Sequence, residues 1–395
     1  EVEDSCPALR HVVYLDDPSW DALLDVPAVE LATYESFLSA GDPINIQYTS
    51  GTTGFPKGAT LSHRNILNNG LFIGELLGYS PDDRICVPVP FYHCFGMVIG
   101  NLAALTHAAC VVIPGPAFEP AATLRAVAQE HCTSLYGVPT MFIAELAEGV
   151  SSYDLTSLRT GVMAGSPCPV AVMEQVIADM GMREVGICYG MTETSPVSTQ
   201  TRADDDLDRR TSTVGRVHPH VEVKVVGPDG EVVEEGVTGE LCTRGYSVML
   251  GYWEEPDRTA EAIDADGWMH TGDLATMDQD GYLRIVGRIK DLVIRGGENV
   301  YPREVEEYLF THPDVTDVQV VGVPDPKYGE ELLAAVRLRA GAEVTEEQLR
   351  EYCRGRIAHY KVPRYVRFVD EFPMTVTGKV QKFKMREQAV AELGL

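Results

Sequence analysis

Short apolar runs alternate with amphipathic stretches from Ile44 to Tyr189. The strand-like runs are residues 44–48, 84–89, 109–113, 134–136, 161–164 and 185–189, and the helix-like stretches include 121–130 and 170–180. Strands that alternate with helices are typical of a mainly parallel sheet covered by helices. This region is therefore predicted to be an α/β unit. Its first strand is expected to lead through a Gly/Thr-rich loop into a helix that opens near Ser62.

The pattern changes between residues 214 and 286, where short apolar runs are separated by turn signals. The runs are 221–226, 231–233, 239–243 and 282–286. The turn signals are Pro228-Asp229-Gly230 and Asp280-Gly281. Such spacing predicts an antiparallel, β-rich part that closes the first domain.

A third pattern begins near Arg288. A helix is predicted to start near Pro302, with apolar residues on one face. Strand-like runs follow at 317–323 and 332–338, and helices are predicted near 345–353 and 382–393. We therefore expect two domains: a large N-terminal domain, residues 1–287, and a small α+β domain, residues 288–395.

The composition is that of a globular protein with an acidic surface. Of 395 residues, 45% are hydrophobic and 23% are charged, which is ordinary for a chain with a large core and more than one domain. The net charge of −27 disfavours nucleic acids and anionic membrane surfaces as partners. Nine cysteines without a C-x-x-C pair disfavour a disulfide framework and a structural zinc site, and favour a reducing compartment.

The most apolar stretch, residues 97–114, is predicted to be a buried helix followed by a buried strand, because Asn101, Thr106 and His107 interrupt it. No membrane span is therefore expected. A cytoplasmic location is expected in the absence of a signal peptide. The mitochondrial matrix is the alternative, since the chain begins at Glu1 and an upstream targeting segment is conceivable.

The strongest local chemical signal is Thr49-Ser50-Gly51-Thr52-Thr53-Gly54-Phe55-Pro56-Lys57-Gly58. Small residues leave backbone N–H groups and hydroxyls able to surround phosphate oxygens, and the lysine adds positive charge. The spacing of a Walker A loop is absent. A flexible surface loop is the alternative, but a dense Ser/Thr/Gly run that follows a strand and ends in lysine favours phosphate binding.

This loop resembles the signature of the adenylate-forming (ANL) superfamily, which includes acyl-CoA synthetases, luciferases and peptide-synthetase adenylation domains. Four further segments resemble its motifs, in the family's order, within residues 44–386. They are Tyr189-Gly190-Met191-Thr192-Glu193-Thr194, Trp268-Met269-His270-Thr271-Gly272-Asp273, Gly287-Arg288-Ile289-Lys290-Asp291 and Pro373-Met374-Thr375-Val376-Thr377-Gly378-Lys379. The resemblance implies a large adenylate-forming domain and a mobile C-terminal lid domain.

The resemblance implies an ATP site assembled from these motifs. Its phosphate-binding residues would be Thr49, Ser50, Gly51, Thr52, Thr53, Gly54 and Lys57. Its adenine- and ribose-binding residues would be Gly165, Ser166, Pro167, Tyr189, Gly190, Met191, Thr192, Asp273 and Arg288. Thr52 and Glu193 are implied as Mg²⁺ ligands. The carboxylate of Asp273 can accept hydrogen bonds from both ribose hydroxyls, and that of Glu193 offers the hard oxygen ligand that Mg²⁺ prefers. The planar guanidinium of Arg288 can donate hydrogen bonds to ribose or phosphate. Taken alone, each would be an ordinary turn or surface residue.

Catalytic roles are implied for Lys379, Lys57 and His93. Lys379, one of eight lysines in the chain, would contact both the substrate carboxylate and the α-phosphate of ATP and stabilise charge during attack. His93 matches a position that faces the carboxylate, and a hydrogen-bonded core histidine is the alternative. Lys382 and Lys384 are expected to form a solvated basic face.

The resemblance also implies a domain movement. Lys290 would be the hinge about which the small domain turns, withdrawing Lys379 and admitting a thiol. Gly296, Gly297 and Glu298 would then border the coenzyme A tunnel. A glycine-rich hairpin turn is the alternative for these three residues.

The implied reaction joins a carboxylic acid to ATP with Mg²⁺, releasing pyrophosphate, and then transfers the acyl group from acyl-AMP to coenzyme A. Free coenzyme A is favoured as acceptor because the chain ends soon after Lys379 without a carrier-protein domain. Residues 61–65, 245–253 and 295–302 resemble medium-chain fatty acyl-CoA synthetases, which suggests a role in fatty acid metabolism.

Three alternatives stay open. One is an adenylate-forming enzyme for another acid or acceptor, and another is an oxygenase of the luciferase kind. The third is a truncated, inactive binding protein, because members of this family usually carry a longer N-terminal region than the one that precedes Ile44.

Overall fold

A computed structural model describes residues 6–15, 17–25, 29–49, 56–166, 168–375 and 380–395. The chain divides into two compact units, Glu1–Asp42 and Pro43–Leu395. Among its described residues, the first unit contains two short helices, α1 (Pro18–Leu24) and α2 (Leu31–Glu35). Asp17 caps α1, because its carboxylate accepts a hydrogen bond from the Ser19 N–H at 2.7 Å. The described side chains of this unit are all exposed or partly exposed.

The second unit contains the remaining elements. Its strands are β1 (Pro43–Thr49), β2 (Lys57–Ser62), β3 (Arg84–Cys86), β4 (Cys110–Val112), β5 (Ser134–Gly137), β6 (Thr160–Ala164), β7 (Glu184–Gly190), β8 (Val197–Gln200), β9 (Arg216–Val217), β10 (Val221–Val226), β11 (Gly239–Gly245), β12 (Gly251–Tyr252), β13 (Met269–Met277), β14 (Leu283–Arg288), β15 (Val293–Arg295), β16 (Glu298–Val300), β17 (Val315–Asp325), β18 (Gly329–Leu338) and β19 (Tyr365–Phe368). Its helices are α3 (His63–Leu76), α4 (Ala103–Thr106), α5 (Pro120–Glu130), α6 (Pro139–Ala147), α7 (Val170–Met180), α8 (Leu207–Ser212), α9 (Pro256–Ala262), α10 (Pro302–Phe310), α11 (Glu346–Cys353) and α12 (Lys382–Leu393).

A seven-stranded sheet forms the centre of the larger domain, in the order β4-β3-β5-β6-β7-β8-β9. Neighbouring strands from β4 to β7 are parallel, and β8 and β9 are antiparallel. The helices α5, α6 and α7 connect the parallel strands, as the alternating pattern predicted. The carboxyl ends of β3, β6 and β7 lead into the segments of His93, Gly165 and Met191, and ligands commonly bind at such strand ends.

The first strand belongs to a different sheet from the one expected. β1 pairs antiparallel with β2, and β2 pairs with β12, so the three form a separate sheet. The prediction that residues 44–48 begin the parallel sheet was wrong. The physical reason is the length of the connection, since a parallel crossover needs a dozen or more residues and β1 and β2 are separated by seven.

The helix predicted near Ser62 begins there as α3, with a reciprocal cap at its first turn. The Ser62 hydroxyl accepts from the Asn65 N–H at 3.2 Å, and the Asn65 side-chain oxygen accepts from the Ser62 N–H at 2.7 Å. This capping box satisfies two backbone donors at the helix start. Asn65 also donates to the Val248 carbonyl at 3.0 Å, which fixes the helix to the loop before β12.

The apolar stretch at 97–114 is a helix followed by a strand, as predicted, but the expected burial of the strand was wrong. β4 lies at the edge of the sheet, where Cys110 is exposed and only Val112 is buried. A π-helical segment, Phe95–Leu102, continues into α4 and is followed by β4. Gly96 allows the helix to begin close to the preceding backbone, because an added Cβ would lie 2.4 Å from the Pro90 carbonyl oxygen. Within the described parts of the chain, no helix is both long enough and apolar enough to cross a membrane.

The β-rich part is a four-stranded antiparallel sheet, β10-β11-β13-β14. The strand predicted at 231–233 is absent as a strand, since this segment forms only an isolated bridge between Val226 and Val232. A tight turn explains the difference, because the Gly227 N–H donates to the Glu231 carbonyl at 2.9 Å and reverses the chain. Val232 is consequently 64% exposed.

The C-terminal region is an α+β structure with its own sheet and core. β15–β19 form a five-stranded sheet whose longest pair, β17 and β18, is antiparallel. Val305 and Leu309 of α10 are buried against this sheet. Phe310, at the end of α10, also packs against a hydrophobic cluster of the larger domain. The domain boundary at residues 287/288 stays a prediction.

The expected solvated basic face at the start of α12 is only half correct. Lys384 is exposed, whereas the Lys382 ammonium lies 2.6 Å from a Glu306 carboxylate oxygen and 3.2 Å from the Val320 carbonyl. The side chains of Lys382 and Glu306 are 22% and 12% exposed, respectively. Lys382 therefore fastens α12 to α10 and β17, because a largely desolvated charge needs a partner.

Candidate active site

Lys57, Tyr252 and Glu193 lie together beside the three-stranded sheet. The Lys57 ammonium is 4.8 Å from the centre of the Tyr252 ring, and the Tyr252 hydroxyl donates to Glu193 Oε1 at 2.8 Å. β12 brings the tyrosine here, since it pairs with β2, the strand that begins at Lys57. Thr49, the last residue of β1, pairs with Lys57 across the hairpin. The arrangement combines a cation and a fixed carboxylate at the base of the predicted phosphate loop.

Glu193 is a buried carboxylate on a tight turn. It is 5% exposed, and its backbone carbonyl accepts from the Met249 N–H at 2.9 Å. The turn Thr192–Thr194 follows Gly190, where an added Cβ would lie 1.9 Å from the Pro196 carbonyl oxygen. Glycine is therefore required for this close backbone approach. Burial, and then the Glu193 charge, raise the pKa of Tyr252, so its hydroxyl stays a neutral donor.

Asp273 forms the centre of a second cluster. Its Oδ2 accepts from the Tyr189 hydroxyl at 2.7 Å, and its Oδ1 accepts from Arg288 Nε at 2.9 Å. The carboxylate is buried at 6% exposure, whereas the Arg288 side chain is 60% exposed. Each carboxylate oxygen carries a second lone pair, so the fixed Asp273 keeps capacity for further donors.

The charges of this cluster reinforce one another. Asp273 raises the pKa of Arg288, which stays a cation. Burial, followed by the Asp273 charge, raises the pKa of Tyr189 well above its ordinary value. Tyr189 therefore remains a neutral phenol that donates to Asp273, and its position is fixed at the end of β7.

The turn that carries Asp273 is fixed by a residue that the sequence reasoning missed. Glu240 Oε1 accepts from the Gly272 N–H at 3.0 Å. The Thr271 hydroxyl donates to the Leu241 carbonyl at 2.6 Å and accepts from the Asp273 N–H at 3.1 Å. The Trp268–Asp273 motif thus lies mostly on β13, with its backbone held by β11.

His93 borders a narrow cleft. His93, Phe95, Val138, Met141 and Gly165 line it together with Val89 and Pro90. His93 Nδ1 accepts from the Phe95 N–H at 3.0 Å, so in the neutral ring the proton is on Nε2. Gly165 has φ +90°, a left-handed conformation that favours glycine, and Ser166 follows it.

The predicted hinge and thiol-tunnel residues lie at the start of the C-terminal region. Lys290 is exposed within a 3₁₀ turn, Ile289–Asp291. Gly296 and Gly297 form the turn between β15 and β16, with φ values of +61° and +89°, and Glu298 follows as an exposed residue. Positive φ at both central residues is what a two-residue hairpin turn of type I′ requires. The hairpin alternative for this segment is therefore observed, and its proposed contact with coenzyme A stays a prediction.

Several predicted residues lie outside the described part of the chain. They are Ser50, Gly51, Thr52, Thr53, Gly54, Pro167 and Lys379. The segment that carries Lys379 is flanked by described contacts, because Met374 forms an antiparallel bridge with Val380 and the Gln381 N–H donates to the Pro373 carbonyl at 2.8 Å. These contacts bring the two ends of the segment together.

Comparison with known proteins identifies the family. The model of the AMP-binding enzyme family matches residues 1–253, and that of the AMP-binding enzyme C-terminal domain matches residues 304–379. The chain belongs to the AMP-binding enzyme family. The predicted resemblance to the adenylate-forming superfamily is confirmed.

Individual relatives agree with this assignment. The chain is 54% identical to YngI of Bacillus subtilis over 98% of its own length and 73% of the relative's. It is 50% identical to the mitochondrial medium-chain acyl-CoA ligase ACSF2 of Danio rerio, over 93% of the chain and 61% of the relative. Among solved structures, ATP-bound MatB from Rhodopseudomonas palustris superposes with a TM-score of 0.82 at 35% identity, covering 89% of this chain and 69% of MatB. The predicted fold class is confirmed.

Proposed function

We propose that this AMP-binding enzyme is an ATP-dependent acid–CoA ligase that forms an acyl-adenylate and passes the acyl group to coenzyme A. The observation that carries the proposal is the meeting of two clusters at the carboxyl end of β7. Tyr189 contributes to the Asp273–Arg288 cluster, and Glu193, four residues later, contributes to the cluster with Tyr252. One nucleotide could contact both clusters.

Asp273 is proposed to accept hydrogen bonds from the ribose hydroxyls of ATP. Tyr189 and Arg288 hold its carboxylate in place, so binding does not have to pay for ordering this side chain. Arg288 is exposed enough to turn toward a ribose or a phosphate. The ATP bound to MatB belongs to that protein, and the structural likeness to it supports the proposal.

Glu193 fits the role of a Mg²⁺ ligand. It is a buried carboxylate whose one oxygen is fixed by a neutral hydroxyl, and Mg²⁺ prefers hard oxygen ligands of defined geometry. When bound, Mg²⁺ would neutralise charge on the phosphates of ATP. Lys57 adds a protein cation nearby, since its ammonium lies 4.8 Å from the centre of the Tyr252 ring. Thr52 is a proposed second ligand.

The acid is proposed to enter the cleft beside His93. Phe95, Val138 and Met141 give this cleft an apolar lining that suits an acyl chain, and His93 offers a polar end. A fatty acid of medium chain length is the proposed substrate, in keeping with the similarity to ACSF2. Another carboxylic acid is the second candidate.

The remaining roles are proposals from the family motifs. Lys379 is proposed to stabilise charge during adenylation, Lys290 to be the hinge, and Gly296, Gly297 and Glu298 to border coenzyme A. The cytoplasm is the proposed location, and the similarity to mitochondrial ACSF2 supports the matrix as the alternative.

Separating the two half-reactions tests the proposal. Lys379→Ala is expected to lower acid-dependent pyrophosphate release by about 100- to 1,000-fold, because one preorganised charge at the reacting centre is lost. Transfer of the acyl group from supplied acyl-adenylate to coenzyme A should change little. Lys384→Ala, which changes an exposed lysine of α12 five positions later, is the matched control and should leave both half-reactions unchanged. Equal loss of both half-reactions in Lys379→Ala would contradict the assigned role.

A further inference from the structure

Three metal-ligating side chains share one face of the β-rich sheet. Glu240 and Cys242 stand two residues apart on β11 and both contact the His270 ring, so they lie on the same side although the pairing of β11 with β13 is irregular between them. His270 of β13 is the direct cross-strand partner of Cys242. The side chains of a glutamate, a cysteine and a histidine from two adjacent strands therefore lie close together. The sequence contains no C-x-x-C motif that would have predicted such a site.

The distances between their donor atoms suit one tetrahedral cation. Cys242 Sγ is 3.5 Å from His270 Nδ1, and His270 Nδ1 is 2.8 Å from Glu240 Oε2. The three donor atoms lie within 4.8 Å of one another. Zn²⁺ bonds of about 2.3 Å to sulfur and about 2.0 Å to nitrogen and oxygen, at tetrahedral angles, place such atoms roughly 3.3–3.6 Å apart. Small side-chain rotations would bring all three onto one ion.

Asp264 lies beside the other ring nitrogen of His270. His270 Nε2 faces Asp264 Oδ2 at 3.8 Å. Histidines that bind metal through one ring nitrogen commonly direct the other N–H at a carboxylate, which fixes the ring and its tautomer. Cys242 is buried, whereas His270 and Glu240 are partly exposed, which leaves room for entry of an ion and for a water ligand.

The charges around the thiol oppose its ionisation when no cation is bound. Burial, and then the Glu240 carboxylate, raise the pKa of the Cys242 thiol to about 12, against a smaller opposite effect of Lys224. The Lys224 ammonium lies 4.4 Å from the centre of the Trp268 ring, which stabilises that cation there. Once a divalent cation is bound and Cys242 is a thiolate, the negative charges of Glu240, Asp264 and Cys242 outnumber the single positive charge of Lys224.

We propose that Glu240, Cys242 and His270 form a binding site for a divalent cation of the zinc class, with water as the fourth ligand. On binding, Cys242 releases its thiol proton to solvent and its sulfur donates an electron pair to the cation. Glu240 binds through Oε2 while its Oε1 keeps the Gly272 N–H. The site therefore adjoins the Asp273 turn, and its existence does not depend on the proposed ligase function.

Cobalt absorption tests the site directly. Co²⁺ serves as the probe, because a thiolate ligand gives it a strong near-ultraviolet charge-transfer band. The exposed thiols of Cys6 and Cys110 are first replaced by serine in the full chain, so that they do not bind the probe. The expected result is one equivalent of Co²⁺ with a thiolate band that Zn²⁺ abolishes by displacement.

Variants in the same background identify the ligands. Cys242→Ala is expected to abolish the band, and Asp264→Asn to weaken binding by about 10- to 100-fold. His270→Gln should weaken Co²⁺ binding more than Asp264→Asn does. Because His270 is partly exposed, this variant should fold, and it tests the site if Cys242→Ala does not fold. Cys353→Ala, which removes a buried thiol of α11, should keep the band. Absence of the band in the parent, its persistence in Cys242→Ala, or an unchanged Co²⁺ affinity in His270→Gln would overturn the proposal.

Discussion

The hydrogen bond from Tyr252 to Glu193 provides a sharp test of the site. Tyr252→Phe keeps the aromatic ring near Lys57 and removes only the hydroxyl that donates to Oε1 at 2.8 Å. Both side chains are buried, and a hydrogen bond to a charged group contributes about 1.5–3 kcal/mol. The free energy of unfolding should therefore fall by about 2 kcal/mol. With an unfolding entropy of about 2 cal/mol/K per residue over Pro43–Leu395, Tm should fall by about 3 °C.

The same substitution should change the dependence of activity on Mg²⁺. If Glu193 is a ligand, Tyr252 is the group that orients it, and loss of such an outer partner typically lowers metal affinity or activity by about 10- to 100-fold. The assay is acid-dependent pyrophosphate release at fixed ATP across a Mg²⁺ titration. Calorimetric Tm is measured on the same samples.

Tyr282→Phe is the matched control for this experiment. Its hydroxyl also donates to a buried carboxylate, that of Asp205, at a place remote from the predicted phosphate loop in sequence. A similar fall in Tm is expected without a change in Mg²⁺ dependence. The reasoning is refuted if Tyr252→Phe leaves the Mg²⁺ dependence unchanged, or if both variants shift it equally.

Three further substitutions have defined outcomes. Asp273→Asn should raise the KM for ATP by about tenfold, since one charged hydrogen bond contributes on the order of 1.5 kcal/mol, and steady-state kinetics with varied ATP checks this. Lys382→Met should lower the free energy of unfolding by about 3 kcal/mol in denaturant titrations because it leaves the Glu306 charge unpaired, whereas Lys384→Met should not. Burial raises the pKa of Asp317 from 3.8 to about 6, so between these pH values the folded chain keeps a proton that the unfolded chain has released, and stability is lost across that interval. Asp317→Asn should therefore match the parent near pH 3 and gain stability relative to it, by about 3 kcal/mol, as pH rises from about 4 to 6.

Local periodicity explains what the sequence predicted well. The segment from β6 through α7 to β7 was predicted within one residue at each end, because strand and helix periods are properties of neighbouring residues. The start of α3 was predicted near Ser62, and the cap that Ser62 forms with Asn65 spans only three residues, so this feature is local as well. The expectation that Gly165 and Tyr189 lie at strand ends follows from the same local pattern.

Long-range pairing explains what was missed. β1 pairs with β2 and β12 instead of joining the parallel sheet, and the alternation of apolar residues does not name a strand's partner. Tyr252 meets Glu193 across 59 positions, and Glu240 meets the Gly272 N–H across 32. Lys382 looked like a solvated lysine because Glu306, its partner, stands 76 positions earlier. For Tyr252 and Glu240, the available signal was an aromatic or charged residue within an otherwise β-type run.

Acid-dependent pyrophosphate release is the most direct measurement of the central claim. The 395-residue chain is incubated with Mg-ATP and a series of straight-chain fatty acids from short to long, first without and then with coenzyme A. The proposed chemistry predicts pyrophosphate release that requires the acid, a maximum at medium chain length, and AMP with acyl-CoA once coenzyme A is added. Folded protein that releases no acid-dependent pyrophosphate with any of these acids would contradict the assignment of this chain as an adenylate-forming fatty acid–CoA ligase.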